Sequence, residues 1–439
     1  MGAGIFAKRN MAGRFCRVFR NTFMRIEGAI MHRSSHGETE VKKKAHTRRI
    51  SRRVSQVTIS ATKEMPMLAA KVGKCVSLGQ GVPSFSTPNH VIEAVSRALA
   101  GDSRSGKYSL QPGMPELRRA AAEYLGTQKG IAVDPEGEII ITVGAMEGLL
   151  AAILTLVEQG DQVILPSPTY ASYIEQVLLA EGTPVFVPLR QEDWGLDVEA
   201  IKRAITQKTR AIILCNPNNP TGGVFDNEEV RSLCRVVKEH DLILVSDETY
   251  DFLVYDDLPS PLSPAALPGL GDHVISVFSF SKKYAMTGWR VGYITAPHEL
   301  MAQMMKVHDV AAICAPTPSQ LAALAALEGP QDEVHRMQEE LAKRRDLCCR
   351  RLDGLKNAFS YVKPRGAFYL MARYRFTDTP SRDVAIRILN EARVITVPGG
   401  SFGPGGEGHL RISFGATEEE LNEAFDRIEK WVEEKAYAF

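Results

Sequence analysis

Between residues 137 and 296 the sequence alternates short, β-branched apolar runs with amphipathic stretches of helical period. That alternation restricts the fold more than any other feature of the chain. Strands are predicted at 138–143, 162–165, 184–188, 211–215, 242–246, 274–278 and 291–295. Most are apolar on both sides and end in Gly, Pro, Asp or Asn, as strands covered on both faces do. Helical patterns at 145–158, 170–180 and 227–240 supply crossover connections. The prediction is an α/β large domain with a mostly parallel sheet.

The sections outside this region read differently. From about Pro318 an alanine-rich helix (319–327) and a long charged helix (331–356) precede strands at 366–371 and 409–414 and a last helix from Glu418. This predicts a smaller α+β domain over 318–439, joined by the segment 49–88, with 89–317 as the large domain. Residues 1–60 hold fourteen Lys or Arg against three acids. Residues 1–48 are expected outside the fold, and two readings of them stay open: an organellar transit peptide, or a disordered basic extension.

In open α/β sheets ligands bind beyond the carboxyl ends of the strands, and chemically suggestive residues recur there. Gly144, Ala145 and Met146 open a helix whose free N–H groups suit a phosphate, although many strand-to-helix turns contain glycine. Tyr170 could stack on a planar ligand or simply pack. Asn219, in Asn218-Asn219-Pro220-Thr221-Gly222, is either part of a plain turn or an amide donor. Asp247, at a buried strand end, wants a cation; an ion pair or a Mg²⁺ is the alternative reading. Lys282, after an apolar strand, could have a lowered pKa and act as a nucleophile, with Arg290 as an anion clamp. A solvated surface charge is the bland reading of either.

Taken together, Asn219-Pro220-Thr221-Gly222, Asp247-x-x-Tyr250, Ser279-x-Ser281-Lys282 with Arg290 eight beyond, and Arg411 in His409-Leu410-Arg411-Ile412-Ser413 resemble the class I and II aminotransferases. These are enzymes of the pyridoxal 5′-phosphate (PLP) fold type I, the aspartate aminotransferase-like superfamily. The resemblance runs from about Arg49 to the C-terminus. It implies that Lys282 forms the Schiff base with PLP and shuttles the substrate's α-proton, and that Asp247 pairs with the pyridine nitrogen. It implies that Asn219 and Tyr250 bond the ring hydroxyl and that Tyr170 stacks on the ring. Gly144, Ala145, Met146, Ser279, Ser281 and Arg290 would surround the phosphate, and Tyr108 would reach the phosphate of a partner subunit. Arg411 would clamp the substrate α-carboxylate, with the backbone at Gly81 and the amide of Asn219 beside it. Ala145 departs from the hydroxyl residue usual at its position, which puts more weight on Ser279 and Arg290. No motif supplies a second arginine for a distal carboxylate, so aspartate specificity is not implied.

The resemblance thus implies ping-pong transamination between an L-α-amino acid and a 2-oxo acid by a homodimer with shared sites. A C–S lyase, decarboxylase or synthase would use the same cofactor, and a PLP-sensing transcription regulator is a non-enzymatic alternative. A net charge of +1 over 439 residues argues against a nucleic-acid partner. No apolar stretch reaches the roughly 18 residues of a membrane span. The seven cysteines form no C-x-x-C pair, so reduced thiols and a cytoplasmic location are expected, or an organelle if residues 1–48 target one. No metal is called for.

Overall fold

The apolar runs between residues 137 and 296 become strands whose bounds shift by a residue or two from those predicted. The computed structural model describes residues 49–435; the basic segment 1–48 lies outside the described residues. After the two-residue β1 (Val76–Ser77) come β2 (Ile139–Thr142), β3 (Gln162–Ser167), β4 (Thr183–Pro188), β5 (Thr209–Cys215), β6 (Ile243–Asp247), β7 (Val274–Ser279) and β8 (Gly292–Thr295). Strands β2 to β8 form one sheet in the order β2-β8-β7-β6-β5-β3-β4. Neighbours from β4 through β3, β5 and β6 to β7 are parallel. β8 runs antiparallel to both β7 and β2. The cause is the short β7–β8 connection, whose helix is only Phe280–Lys283; a parallel neighbour would need a full crossover.

Helices Ala145–Leu156, Ala171–Leu179 and Asn227–Glu239 connect strands of this sheet. The last begins at a capping box in which Asp226 and Glu229 satisfy each other's backbone N–H groups. The strand centres are fully buried, as at Ile140, Ile164, Ile212, Leu244 and Ile275. Fully burying one such side chain contributes about 1.5–3 kcal/mol, so the sheet is a rigid platform for whatever its strand ends carry.

The C-terminal section adds β9 (Phe359–Tyr361), β10 (Tyr369–Tyr374), β11 (Val394–Ile395), β12 (Val397–Pro398) and β13 (His409–Ser413). Strands β12-β13-β10-β9 make an antiparallel sheet, and β11 pairs in parallel with β1. The strand predicted at 366–371 starts three residues later. Gly366 instead makes an isolated antiparallel bridge with Val254 and bonds Gly222 through its N–H, and Ala367 and Phe368 form a turn in which Ala367 takes φ +51°. The alanine-rich helix, observed as Thr317–Glu328, does not pack on this second sheet. It shares a core with helices Asn89–Gly101 and Pro115–Tyr124 and with Ile141 and Phe278 of the large sheet. Helix Ala61–Val72 packs on helix Ser381–Ala392, where Arg382 meets Glu64 at 2.6 Å.

Two compact units divide the chain, Met1–Ser55 and Gln56–Phe439. In the first, the described part holds the start of the short helix Arg52–Gln56, which buries no side chain.

Candidate active site

The carboxyl ends of β3, β5, β6 and β7 deliver Tyr170, Asn219, Asp247 and Ser279 to one cleft of about 400 Å³. Asp247 ends β6 and is 5% exposed. One carboxylate oxygen accepts from Tyr173 Oη at 2.5 Å and the other from the Thr249 N–H at 3.1 Å. Burial raises its carboxyl above the usual range, while the bonds from Thr249 and Tyr173 and the charge of Lys282 work the other way.

Lys282 follows β7 on the short helix Phe280–Lys283, whose first residue is preceded by the cap Ser279; the Ser279 hydroxyl accepts from the Ser281 N–H at 3.1 Å. The Lys282 ammonium donates to the carbonyl of Gly81. Its pKa is pulled down to about 8, first by burial and then by the charges of Arg411 and Arg290, against the opposing pull of Asp247. An amine held there is available near neutral pH both as a base and as a nucleophile.

Arg411 lies in the middle of β13 and is 2% exposed. Its Nη2 donates to Gly79 O at 2.6 Å and its Nη1 to Asn219 Oδ1 at 3.1 Å. The guanidinium stacks over the rings of Tyr369 and Phe402, 4.6 and 5.0 Å from their centroids. Its Nε is buried without a hydrogen-bond partner. No carboxylate among the described residues forms an ion pair with it. A cation buried in this way is arranged to receive an anion.

Beside it, Tyr250 and Tyr369 share a hydrogen bond of 2.9 Å, and Asn219 Nδ2 reaches the Tyr250 hydroxyl at 3.5 Å. Burial pushes the Tyr369 phenol up to about 12. A Cβ at Gly81 would sit 2.4 Å from Tyr369 Oη, so only glycine lets that loop pass the phenol. At the other end of the cleft, Gly144 takes φ +71° and a Cβ there would lie 2.5 Å from Arg290 Nη2. Ala145 and Met146, the first residues of their helix, line this end with Ser279, Ser281 and Arg290. A helix N-terminus, two hydroxyls and a guanidinium form an anion cradle.

Of the residues singled out in the sequence, Gly81, Ala145, Met146, Tyr170, Asn219, Asp247, Tyr250, Ser279, Ser281, Lys282, Arg290 and Arg411 all border the cleft. Gly144 stands directly behind Arg290. Tyr108 does not line it and is 78% exposed. Two tyrosines escape the sequence reading. Tyr173 lies three residues after Tyr170, which caps the helix, and the two rings meet edge to face at 5.5 Å; that three-residue spacing was its signal. Tyr369 sits in an apolar strand and has no local signal.

Against known proteins, the family model described as aminotransferase class I and II matches residues 73–428. The chain is 39% identical to the aspartate aminotransferase of Pyrococcus abyssi, over 88% of this chain and 99% of that one. It is 38% identical to aromatic-amino-acid aminotransferase 2 of Thermococcus litoralis, with the same coverage. Among solved structures, the aspartate aminotransferase from Thermus thermophilus with maleate is similar at a TM-score of 0.81 and 36% identity, over 87% of this chain and 99% of that one. The family model spans the chain from before β1 to beyond β13, and the relatives cover nearly nine-tenths of it: the chain belongs to the class I and II aminotransferases and is an enzyme of that type.

Proposed function

We propose that the cleft holds pyridoxal 5′-phosphate and moves an amino group between an L-α-amino acid and a 2-oxo acid in a ping-pong reaction. The observation that carries this reading is Arg411: a buried guanidinium without an acid partner, opening on the same cleft as Lys282. The residues present fit the cofactor. Asp247 is a buried carboxylate suited to a protonated ring nitrogen, and the cradle around Arg290 is suited to a phosphate. When bound, the cofactor supplies the carbonyl carbon that takes the amino group and a ring that withdraws electrons.

In this reading Lys282 holds the cofactor and moves the proton at the substrate α-carbon, a task for which its lowered pKa prepares it. Asp247, aimed by Tyr173 and Thr249, keeps the proton on the ring nitrogen. Asn219 and Tyr250 donate toward the ring hydroxyl, and Tyr170 covers the ring. Gly144, Ala145, Met146, Ser279, Ser281 and Arg290 hold the phosphate. Arg411 takes the α-carboxylate, with Gly81 and Asn219 at its side, and the rings of Tyr369 and Phe402 pack against the guanidinium. Tyr108, exposed on the surface, would complete the phosphate site of a second copy in a homodimer. Relatives of nearly equal identity carry aspartate and aromatic names, so the substrate proposal stops at the class of L-α-amino acids. Among the described residues no helix is long and apolar enough to cross a membrane; a cytoplasmic site of action belongs to the proposal.

The test is a half-reaction. The purified chain is mixed with PLP, single amino acids are added in turn, and the cofactor's absorbance is followed. Conversion to the amine form of the cofactor by some amino acids, with release of the matching 2-oxo acid, is the expected result. Binding of PLP without conversion by any amino acid would point to lyase or decarboxylase chemistry instead.

A further inference from the structure

Ser279 borders two spaces. On one side it lines the active-site cleft; on the other it borders a cavity of about 20 Å³ walled by Tyr124, Glu248, Asp251, Lys283 and Tyr284. That cavity has room for about one water molecule, with several polar groups to hold it. Tyr124, Asp251, Lys283 and Tyr284 also line an open surface groove, so a polar route runs from the outside to the rear of Ser279. Neighbouring residues divide between the two spaces. Asp247 and Lys282 line the cleft, whereas Glu248 and Lys283 line the rear cavity.

Glu248 is 4% exposed and accepts from Ser263 Oγ at 2.6 Å and Ser246 Oγ at 3.2 Å. The titratable groups around it come from several elements. Lys129 pairs with Asp251 at 2.7 Å. Lys283 Nζ donates to Tyr124 Oη at 2.8 Å and lies 4.4 Å from that ring's centroid. Tyr284 and, from β8, Tyr293 close the cavity. Two ammonium groups thus face one partnered carboxylate. With both ammonium groups charged and Asp251 ionised, the cluster is positive when Glu248 is neutral and neutral when Glu248 is ionised; burial pulls the Lys283 ammonium down, and Asp251 works the other way. An anion at Ser279 feels that difference across protein, where charges act more strongly on one another than they do in bulk water.

We propose that Glu248 is a positioning residue acting from behind Ser279, which strengthens the grip of the Ser279–Arg290 cradle on a phosphate when neutral and weakens it when ionised. Burial, partly offset by Lys129, pushes its carboxyl up to about 7, so the change falls in the neutral range. The inference rests on the cleft being a PLP site.

The experiment compares the Kd of PLP for the wild-type chain and Glu248→Gln at pH 6 and pH 8.5, with unphosphorylated pyridoxal as the second probe. The phosphate titrates near pH ~6 and Lys282 near 8, and both cancel in the ratio of the two proteins. For PLP, the wild-type Kd divided by that of the variant is expected near one at pH 6 and roughly three- to tenfold at pH 8.5. For pyridoxal it is expected near one at both. A flat ratio for PLP, or the same rise with pyridoxal, overturns the inference. A wild-type chain that binds no PLP overturns the cofactor reading as well, whereas a flat ratio in a chain that binds it overturns only the role of Glu248. Lys283→Met, at the groove side of the cavity, keeps the idea testable if Glu248→Gln does not fold. It removes a positive charge and should weaken PLP binding at pH 6 by a similar factor, and unchanged affinity there also overturns the inference.

Discussion

Replacing Arg411 by lysine keeps the charge and removes the fork, so it separates clamping geometry from simple attraction. In the structure the guanidinium uses one N–H of Nη1 on Asn219 and one of Nη2 on Gly79 and lies over the rings of Tyr369 and Phe402, so the Nε–H, which has no partner, and the second N–H of each Nη are left for a ligand. A lysine ammonium cannot keep both bonds and also reach a substrate carboxylate in a bidentate way. A hydrogen bond to a charged group contributes about 1.5–3 kcal/mol. Losing one from the bound substrate should lower kcat/KM roughly ten- to hundredfold, since about 1.4 kcal/mol is a factor of ten. Most of that loss should appear in KM, because the α-carboxylate is present before and after the chemistry. The assay is steady-state kinetics over acidic, aromatic and small amino acids, with a melting curve to verify the fold. A uniform rise in KM supports the clamp. A defect confined to one amino acid would mean that Arg411 reads the side chain, and the reasoning from its burial and missing acid partner would fail.

Four further outcomes follow from the same geometry. Lys282→Ala should abolish transamination while PLP still binds without a covalent link, seen as retained cofactor after gel filtration; normal turnover would assign the role to another lysine. Asp247→Asn should lower kcat by about two orders of magnitude, the scale for removing one preorganised electrostatic partner, and an unchanged rate would take Asp247 out of the chemistry. Tyr173→Phe deletes the 2.5 Å donor to Asp247 and should cost about 1 kcal/mol of that positioning, a several-fold loss of kcat smaller than that of Asp247→Asn. Lys282→Met should raise the melting temperature of the cofactor-free chain below pH 8. The native lysine titrates at about 8, below its ordinary 10.5, so its burial penalty is full under pH 8 and disappears as pH rises toward 10.5. The advantage of the variant should shrink across that window, and a gain independent of pH would contradict the assignment.

Much of the large domain is legible in the sequence because a strand covered on both faces must be apolar throughout and must end where turns begin. The residues after those ends, Tyr170, Asn219, Asp247 and Lys282, then fall into one cleft by the geometry of a parallel sheet alone. Strand direction is harder to read. That β8 runs backwards follows from the link between Ser279 and Gly292, whose helix of four residues is too short to carry the chain back along the sheet. Helix Thr317–Glu328 sits with the large sheet because its alanines let it lie close to helices Asn89–Gly101 and Pro115–Tyr124; small residues suit many partners, so sequence alone does not choose among them. Tyr369 was illegible for a related reason. In a strand beside Phe368 it reads as core, and its place in the cleft rests on contacts with Gly81, Tyr250 and Arg411, which are 288, 119 and 42 positions away in the chain.

The charges of the cleft explain why these distant residues have to meet. Among the described residues, Lys282, Arg290 and Arg411 bring three cationic side chains to its wall, and Asp247 is its one carboxylate. Alone, the three repel: Arg411 and Arg290 both depress Lys282, and burial depresses Arg411 itself. A ligand with a phosphate at one end and a carboxylate at the other offsets both arginines at once, and Lys282 stands between them with its ammonium weakened. Burial first, and then the repulsion of the two arginines, makes the lysine ready to give up a proton, and binding energy collected at two anionic ends of a ligand can be used at the carbon between them.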